Sequence, residues 1–141
     1  MVETLPVIDA LHQKSSVTAI ALHPTSGHLL IGNTDGLVQC VDVRSDAKDV
    51  LSKIHVNSKI IGLAWSTNKI VILDETNGLH VYSMDAEEIW ISEFDAGGAQ
   101  LSVGKQILAL DGIGTLRQYT LDGQEYSCLL YTSPSPRDPK I

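Results

Sequence analysis

The sequence predicts an all-β protein built from repeated four-stranded antiparallel units. Three segments, residues 28–43, 69–84 and 106–121, align with one another without a gap. Each contains an apolar strand, a short turn rich in Asn, Asp, Gly and Thr, and a second strand of alternating polarity, which is the pattern of a β-hairpin. The hairpins recur at intervals of roughly 40 residues, a spacing typical of repeat units with four strands.

Two other pairs of segments supply the remaining strands. Residues 11–24 align with residues 54–67, and both contain the branched and large apolar residues that are typical of buried inner strands. Residues 49–54 and 87–94 mix apolar and charged side chains, as outer strands do where charge discourages edge-to-edge pairing. Four strands at this period are the signature of a β-propeller blade. The predicted fold is a partial β-propeller with blades at approximately residues 16–55, 59–95 and 97–127.

A histidine precedes the inner strand in two of the units. His12 and His55 each lie five residues before the first apolar residue of the strand. Together with the Asp35-Gly36 turn, this arrangement resembles the WD-repeat propeller family, in which a His before the inner strand and an Asp-Gly turn accompany a Trp-Asp pair on the third strand. The resemblance covers residues 11 to about 127. It implies that His12 bonds to Asp35 and braces the first blade.

The units depart from the family pattern at the Trp and Asp positions. Val41, Tyr82 and Tyr119 stand where the family has Trp. Thr76 and Ile113 replace the turn Asp in the second and third units, and the third unit also lacks the His. The repeat therefore predicts the propeller fold, and a cytosolic propeller of another family is the alternative to a WD-repeat protein.

The last segment, CLLYTSPSPRDPKI (residues 128–141), differs from everything before it. It contains three of the five prolines and shows no hydrophobic periodicity. Residues 128–138 resemble one translated reading frame of the transposase adapter used to make sequencing libraries, so the segment is interpreted as a non-native tail. The alternative is a Pro-rich flexible tail that is phosphorylated at its two Ser-Pro pairs.

The adapter interpretation predicts that residues 1–127 are the N-terminal part of a longer protein. Propellers usually close with about four to eight blades, so three blades cannot complete a ring. Residues 5–12 are interpreted as the outer strand of the missing last blade, a closure common in the WD-repeat family. Further blades are expected to follow residue 127.

Charge and composition exclude several classes of partner. The formal net charge is −7 and no cluster of Lys or Arg occurs, so neither nucleic acid nor an anionic membrane is an expected partner. The N-terminus lacks the basic and apolar regions of a signal peptide, and no apolar run approaches the roughly 18 residues of a membrane span. Two cysteines, Cys40 and Cys128, suit a reducing compartment. A cytoplasmic protein is expected.

No motif predicts a metal, a cofactor or a catalytic nucleophile. The five histidines lack the short paired spacings of a zinc site and are interpreted as structural. The Gly clusters lack the strand–loop–helix context of a phosphate site, and no Ser lies in a G-x-S-x-G elbow.

Three turn residues, Asn33, Asp74 and Asp111, occupy equivalent positions in the hairpins. Their oxygens would suit a cation bound by all three, whereas Asn and Asp at a hairpin mouth ordinarily bond to the backbone of their own turn. The turn role is the favoured interpretation. Trp65, at the end of an inner strand, is interpreted as a core residue. Trp90, on an outer strand, is either packed or an exposed anchor for a partner, and packing is favoured.

The favoured function is that of a non-catalytic protein-interaction scaffold. The partner is expected to bind the rim formed by the loops before the inner strands and by the turns between the second and third strands. The residues assigned to binding are Lys14, Ser15, Asn33, Asp35, Asn57, Lys59, Asp74, Glu75 and Asp111. Their acid-rich character favours a basic or polar partner surface. Alanine at both Asp74 and Glu75 is expected to weaken binding and to leave folding intact.

The alternative function is that of a propeller enzyme of the hydrolase or lyase type. Its catalytic residues would lie in the missing blades, around a central channel to which several blades contribute. Convergent carboxylates or His ligands in those blades would distinguish the enzyme from the scaffold, because the fold alone does not decide between them.

Overall fold

The computed structural model describes residues 16–45 and 49–130, and the side chains of that range as far as Glu125. The described residues form twelve β-strands in three antiparallel sheets of four strands each, with no helix among them. The prediction of an all-β protein with three four-stranded blades is therefore confirmed. Within these ranges no helix is present that could cross a membrane.

Each sheet is one blade, and its strands pair in chain order. Blade 1 consists of β1 (Val17–Leu22), β2 (His28–Asn33), β3 (Leu37–Asp42) and β4 (Val50–His55). Blade 2 consists of β5 (Ile60–Ser66), β6 (Lys69–Asp74), β7 (Gly78–Ser83) and β8 (Glu88–Glu93). Blade 3 consists of β9 (Gly98–Val103), β10 (Ile107–Asp111), β11 (Thr115–Tyr119) and β12 (Glu125–Leu130). The inner strand β5 lies beside both β1 and β9, which makes these three strands the inner edge of the array.

Irregularities in strand pairing recur at the same places in each blade. The inner strand bulges opposite the residue that ends the second strand, which is Asn33, Asp74 or Asp111. A second irregularity lies in the pairing between the third strand and the outer strand of every blade. A bulge increases the local twist, and its recurrence shows that the three blades are built on one pattern of strand pairing.

The core lies between the blades, because the middle strands bury apolar side chains on both faces. In β6 the residues Ile70, Val71, Ile72 and Leu73 are all fully buried. Ile70 and Ile72 belong to a cluster shared with blade 1, while Val71 and Leu73 belong to a cluster shared with blade 3. This two-sided burial accounts for the continuous apolar runs from which the middle strands were predicted.

One tryptophan lies in each junction between blades. Trp65 of β5 packs against the cluster shared with blade 1, and its Nε1 donates a hydrogen bond to the carbonyl oxygen of Ala21 at 3.1 Å. Trp90 of β8 stacks on Tyr119 with ring centroids 5.5 Å apart. The hydroxyl of Tyr119 in turn lies 2.7 Å from Oγ of Ser92. Both tryptophans therefore pack between blades, in agreement with the core role for Trp65 and the favoured packing role for Trp90.

Strand β12 reaches into the segment that resembles adapter sequence. Residues 128–130 pair with Thr115, Leu116 and Arg117 of β11. Such pairing requires only backbone donors and acceptors and a sequence compatible with a strand, so it does not depend on where the segment originates. The origin of the segment stays a prediction, and residues 5–12 and 131–141 lie outside the described residues.

Gly36, in the turn between β2 and β3, is predicted to be intolerant of a side chain. Its φ is +91°, and a Cβ there would overlap the carbonyl oxygen of Val56. Gly36→Ala should lower the free energy of unfolding by at least about 1–3 kcal/mol, the cost of holding another residue in this backbone region. Gly104→Ala is the matched control, since a Cβ there meets nothing within 4 Å, and it should change stability by less than about 0.5 kcal/mol. Equal denaturation midpoints for the two variants would contradict this assignment.

Candidate partner-binding rim

One edge of the three blades brings together the hairpin turns and the connections between blades. The chain reaches this edge at the end of each second strand and again at the end of each outer strand. We call this edge the turn rim. Its described segments are residues 34–36, 56–59, 75–77, 94–97 and 112–114. The rim therefore gathers segments from all three blades along one edge.

Backbone hydrogen bonds fix the turn rim in the same way in all three blades. The first residue of each hairpin turn donates its N–H to the residue that immediately precedes the inner strand. These bonds run from Thr34 N to Ser16 O (3.0 Å), from Glu75 N to Lys59 O (2.9 Å) and from Gly112 N to Gly97 O (3.0 Å). Because each bond joins a turn to the loop that enters the same blade, the three turns are tied to their entry loops by the same backbone contact.

The residue that ends each second strand organises the turn with its side chain. Oδ1 of Asp74 accepts hydrogen bonds from the N–H groups of Asn77 (2.5 Å) and Gly78 (2.9 Å). Asn33 and Asp111 each accept two backbone bonds as well, from the second and fourth residues after them rather than from the third and fourth. The exposed fractions of the three residues are 9% for Asn33, 0% for Asp74 and 2% for Asp111. These contacts support the turn role over a shared cation, since each side chain is committed to its own turn.

A polar side chain of the third strand lies beneath each turn. Nε2 of His80 lies 2.7 Å from Oδ2 of Asp74, and Nε of Arg117 lies 3.4 Å from Oδ2 of Asp111. Nε2 of His80 is the donor in its pair, because an ionised carboxylate can only accept. Gln39 occupies the equivalent position in blade 1 and is buried. The second and third strands of each blade therefore place two polar side chains under the rim.

Sequence analysis missed these third-strand partners, although the alignment contains a signal. Gln39, His80 and Arg117 each stand six residues after the turn residue of their own blade, in one column of the repeat. Gln, His and Arg all carry side-chain N–H donors, but only the strand register shows that the column faces the turn residue. His80 was singled out solely as a structural histidine.

The pKa of Asp74 lies below its usual range. Burial opposes ionisation of the carboxyl group, but the hydrogen bond from His80 and those from the backbone of Gly78 and Asn77 outweigh it. Asp74 therefore carries a negative charge under the rim at neutral pH.

Arg117 links blade 3 to blade 2 as well as to its own turn. Its guanidinium carbon lies 4.6 Å from the centroid of the Phe94 ring, which belongs to the loop that leaves blade 2. Its Nη1 also lies 3.5 Å from a carboxylate oxygen of Glu125. The planar, permanently charged guanidinium can stack on an aromatic face while its N–H groups point to carboxylates, an arrangement that suits Arg better than Lys.

The structure divides the predicted binding residues into an exposed and a buried set. The exposed residues are Asp35, Asn57, Lys59 and Glu75. The buried residues are Asn33, Asp74 and Asp111. The buried set corrects the prediction, because these side chains build the turns and offer a partner almost no surface. Three predicted site residues lie outside the described residues, namely His12, Lys14 and Ser15. The predicted His12–Asp35 pair therefore stays a prediction.

Burial of Asp74 also corrects the expectation that alanine at both Asp74 and Glu75 leaves folding intact. Loss of the Asp74 carboxylate would leave two backbone N–H groups and the His80 ring without their acceptor. Buried donors without a partner cost free energy, so this change destabilises the turn. Glu75 is exposed and makes no such side-chain bond in the described contacts, so it can be changed separately.

Two further exposed rim residues were missed by sequence analysis. Asp95 lies in the loop before β9, and this loop adjoins the neighbouring turn, since a Cβ at Gly97 would overlap the backbone of Glu75. Ile113, in the third hairpin turn, is 61% exposed. Within the described rim segments the exposed charged residues are Asp35, Glu75, Asp95 and Lys59. Asp95 could have been found from the sequence repeat, in which its loop is equivalent to the loop of residues 57–59.

Comparison with known proteins supports the propeller fold. No protein-family model and no curated protein matches the chain. Among solved structures, the chain is similar to the computationally designed Ika4 protein, with 16% identity and a TM-score of 0.77 over 86% of this chain and 77% of that one. It is also similar to BamB from Moraxella catarrhalis (13% identity, TM-score 0.71, 83% of this chain and 38% of that one). A third similar structure is Sqt1 from Saccharomyces cerevisiae, with 14% identity and a TM-score of 0.74 over 83% of this chain and 36% of that one.

These similarities bear on the fold alone, because the identities are low. The three sheets are blades of a propeller-type fold, as the sequence repeat predicted. The chain spans 77% of the length of Ika4 but only 38% of BamB and 36% of Sqt1.

The charge of Asp74 is predicted to make the fold sensitive to acid. Because its folded pKa is depressed, Asp74 contributes stability that is present above the unfolded pKa of about 3.9 and is lost as the pH falls through the folded pKa. Asp74→Asn retains an oxygen for the turn, as Asn33 does in blade 1, and removes the titration. Denaturation at a series of pH values should show a smaller loss of unfolding free energy below about pH 4 in the variant. Parallel profiles for the two proteins would contradict this role.

Proposed function

We propose that this chain is a non-catalytic protein-interaction scaffold whose partner binds the turn rim. The observation that carries the proposal is an exposed, acid-rich edge whose backbone is fixed by repeated hydrogen bonds. A surface that is ordered before binding loses little conformational entropy when a partner docks. The rim segments expose three carboxylates, those of Asp35, Glu75 and Asp95, against the single ammonium of Lys59. This balance favours a partner with a basic or polar surface.

An exposed apolar side chain on the same rim favours a protein as the partner. Ile113, in the turn between β10 and β11, is 61% exposed. It is the one large exposed apolar residue of the described rim segments. Protein interfaces combine an apolar contact with a polar, solvent-accessible surround. Ile113 and the exposed carboxylates of the same rim offer this combination.

The proposal includes the narrower assignment of the blades to the WD-repeat type. It is supported by the Asp35-Gly36 turn, in which Gly36 takes a φ of +91°. The His12–Asp35 pair that the resemblance implies can be tested by a double-mutant cycle. His12→Ala and Asp35→Ala should each destabilise the protein, and together by less than their sum, with a coupling energy of about 0.5–3 kcal/mol. Additive effects would argue against the WD-repeat assignment.

The proposed setting is the cytoplasm. Cys40 is a free, buried cysteine, and burial raises the pKa of its thiol to about 11. Such a thiol stays protonated at neutral pH, and the support for a reducing compartment is that the cysteine forms no disulfide among the described residues.

Charge reversal on the rim tests the proposed binding surface. Glu75→Lys with Asp95→Lys should reduce recovery of the partner at least about tenfold in affinity capture from an extract of the source cells, quantified by mass spectrometry. Asp85→Lys with Glu87→Lys is the matched control, because it makes the same change in net charge at the opposite edge, in the turn between β7 and β8. Equal recovery with both double variants would refute a partner site on the turn rim.

A further inference from the structure

Strand β8 is the outer edge of blade 2 and pairs on one side only. Its neighbour is β7, and no other strand of the described ranges lies beside it. Phe94 donates its N–H to the carbonyl oxygen of Asn77. Because such bonds recur at every second residue of an antiparallel pair, Ser92 also directs its backbone groups to β7, whereas Ile91 and Glu93 direct theirs away from the sheet. The edge therefore offers two N–H groups and two carbonyl oxygens to a further strand.

The two faces of β8 differ in burial. One face is covered by blade 3, through the contacts of Trp90 and Ser92. The other face carries Glu88, Ile91 and Glu93, whose partners in β7 are set two residues apart, so that all three share this face. All three are exposed, Ile91 to 41%. This face of the edge strand therefore shows an acidic, an apolar and an acidic side chain in succession.

The charge around this edge is acidic throughout. Residues 85–95 contain no Lys or Arg. Their acidic residues are all exposed, namely Asp85, Glu87, Glu88, Glu93 and Asp95. Like charges placed opposite each other destabilise a strand pair, so β8 of a second copy is a poor partner for this edge. Opposite charges stabilise the pair, so the edge fits a strand with basic side chains.

We propose that an extended basic segment of a partner protein pairs with β8 as a fifth strand of blade 2. The segment carries Lys or Arg, then a large apolar residue, then Lys or Arg at every second position, opposite Glu88, Ile91 and Glu93. A strand added to an exposed edge takes its affinity from main-chain hydrogen bonds and its specificity from alternate side chains. This surface is the outer edge of blade 2 and is distinct from the turn rim.

Binding of a synthetic peptide to the full chain tests strand addition. A labelled peptide of sequence SKTITKS presents Lys, Ile and Lys at alternate positions and should bind, as measured by fluorescence anisotropy. The same peptide with Glu in place of both Lys should bind at least about tenfold more weakly. N-methylation of the peptide Ile removes a main-chain donor but no side chain or charge, and it should weaken binding by a similar factor. No binding of the basic peptide, or equal binding of its N-methylated form, overturns the proposal.

Exchange of charge between protein and peptide tests the location of the site. Glu88→Lys with Glu93→Lys should weaken binding of the basic peptide at least about tenfold and should strengthen binding of the acidic peptide. The second result requires a folded protein, so misfolding cannot produce it. Asp49→Lys with Asp122→Lys is the matched control, because both residues are exposed and lie outside β8. If the two double variants respond alike, the peptide senses the net charge of the protein and the assignment to β8 is wrong.

Ile91→Pro tests the main-chain contact from the side of the protein. Proline is tolerated on an edge strand where the missing N–H would face solvent, so the variant should keep the circular dichroism of the wild type. It should bind the basic peptide at least about tenfold more weakly than Ile91→Ala, which retains the N–H. Equal binding by these two variants contradicts strand addition. If the proline variant unfolds, the N-methylated peptide makes the same test.

Light scattering tests a second copy as the occupant of the edge. The wild-type chain should have the same mass as the Glu88→Lys, Glu93→Lys variant. A wild-type dimer that this variant dissociates would assign the edge to a second copy and overturn the proposal.

Discussion

Apolar side chains packed between neighbouring blades hold the three sheets in place, because the hydrogen bonds within a sheet cover neither of its faces. Blade 2 shows the constraint from both sides, since Ile72 faces one junction and Leu73 faces the other, and both are fully buried. Buried apolar area stabilises by roughly 25 cal/mol per Å², so in an array of repeats these junctions carry much of the stability. The turns of the rim keep their positions only while the junctions keep the sheets together.

The polar pairs beneath the rim lie within single blades, and one of them also contacts the neighbouring blade segment. A buried carboxylate is costly unless its hydrogen bonds are made, and Asp74 accepts bonds from two backbone N–H groups and from His80. In blade 3 the role of the third-strand residue extends across the junction, since Arg117 pairs with Asp111 and stacks on Phe94 of the preceding segment. The rim is therefore supported from below by polar contacts within each blade, and in blade 3 the stacking of Arg117 on Phe94 adds a contact across the junction.

Strands and blade limits could be predicted from the sequence because two-sided burial imposes continuous apolar runs, such as the segment KIVILD that became β6. Turn residues such as Asp111 could be predicted because short polar side chains favour hairpin turns. The burial of Asp74 could not be predicted from the sequence. A carboxylate in a turn ordinarily faces water, and the inward orientation of the Asp74 carboxylate depends on its contact with His80. The exposure of Ile20 and Leu22 agrees with the prediction that three blades do not complete a ring, although the apolar pattern of β1 does not itself show which of its faces is open.

The placement of the two tryptophans gives the molecule a separate optical probe for each of its internal junctions. Trp65 donates its indole N–H to the carbonyl oxygen of Ala21 and lies edge-on to His23 at a ring distance of 5.0 Å, whereas Trp90 is stacked on Tyr119. Separation of blades 1 and 2 changes the surroundings of the first indole, and separation of blades 2 and 3 changes those of the second. Replacing one tryptophan at a time would let the intrinsic fluorescence distinguish an array that opens blade by blade from one that opens in a single step.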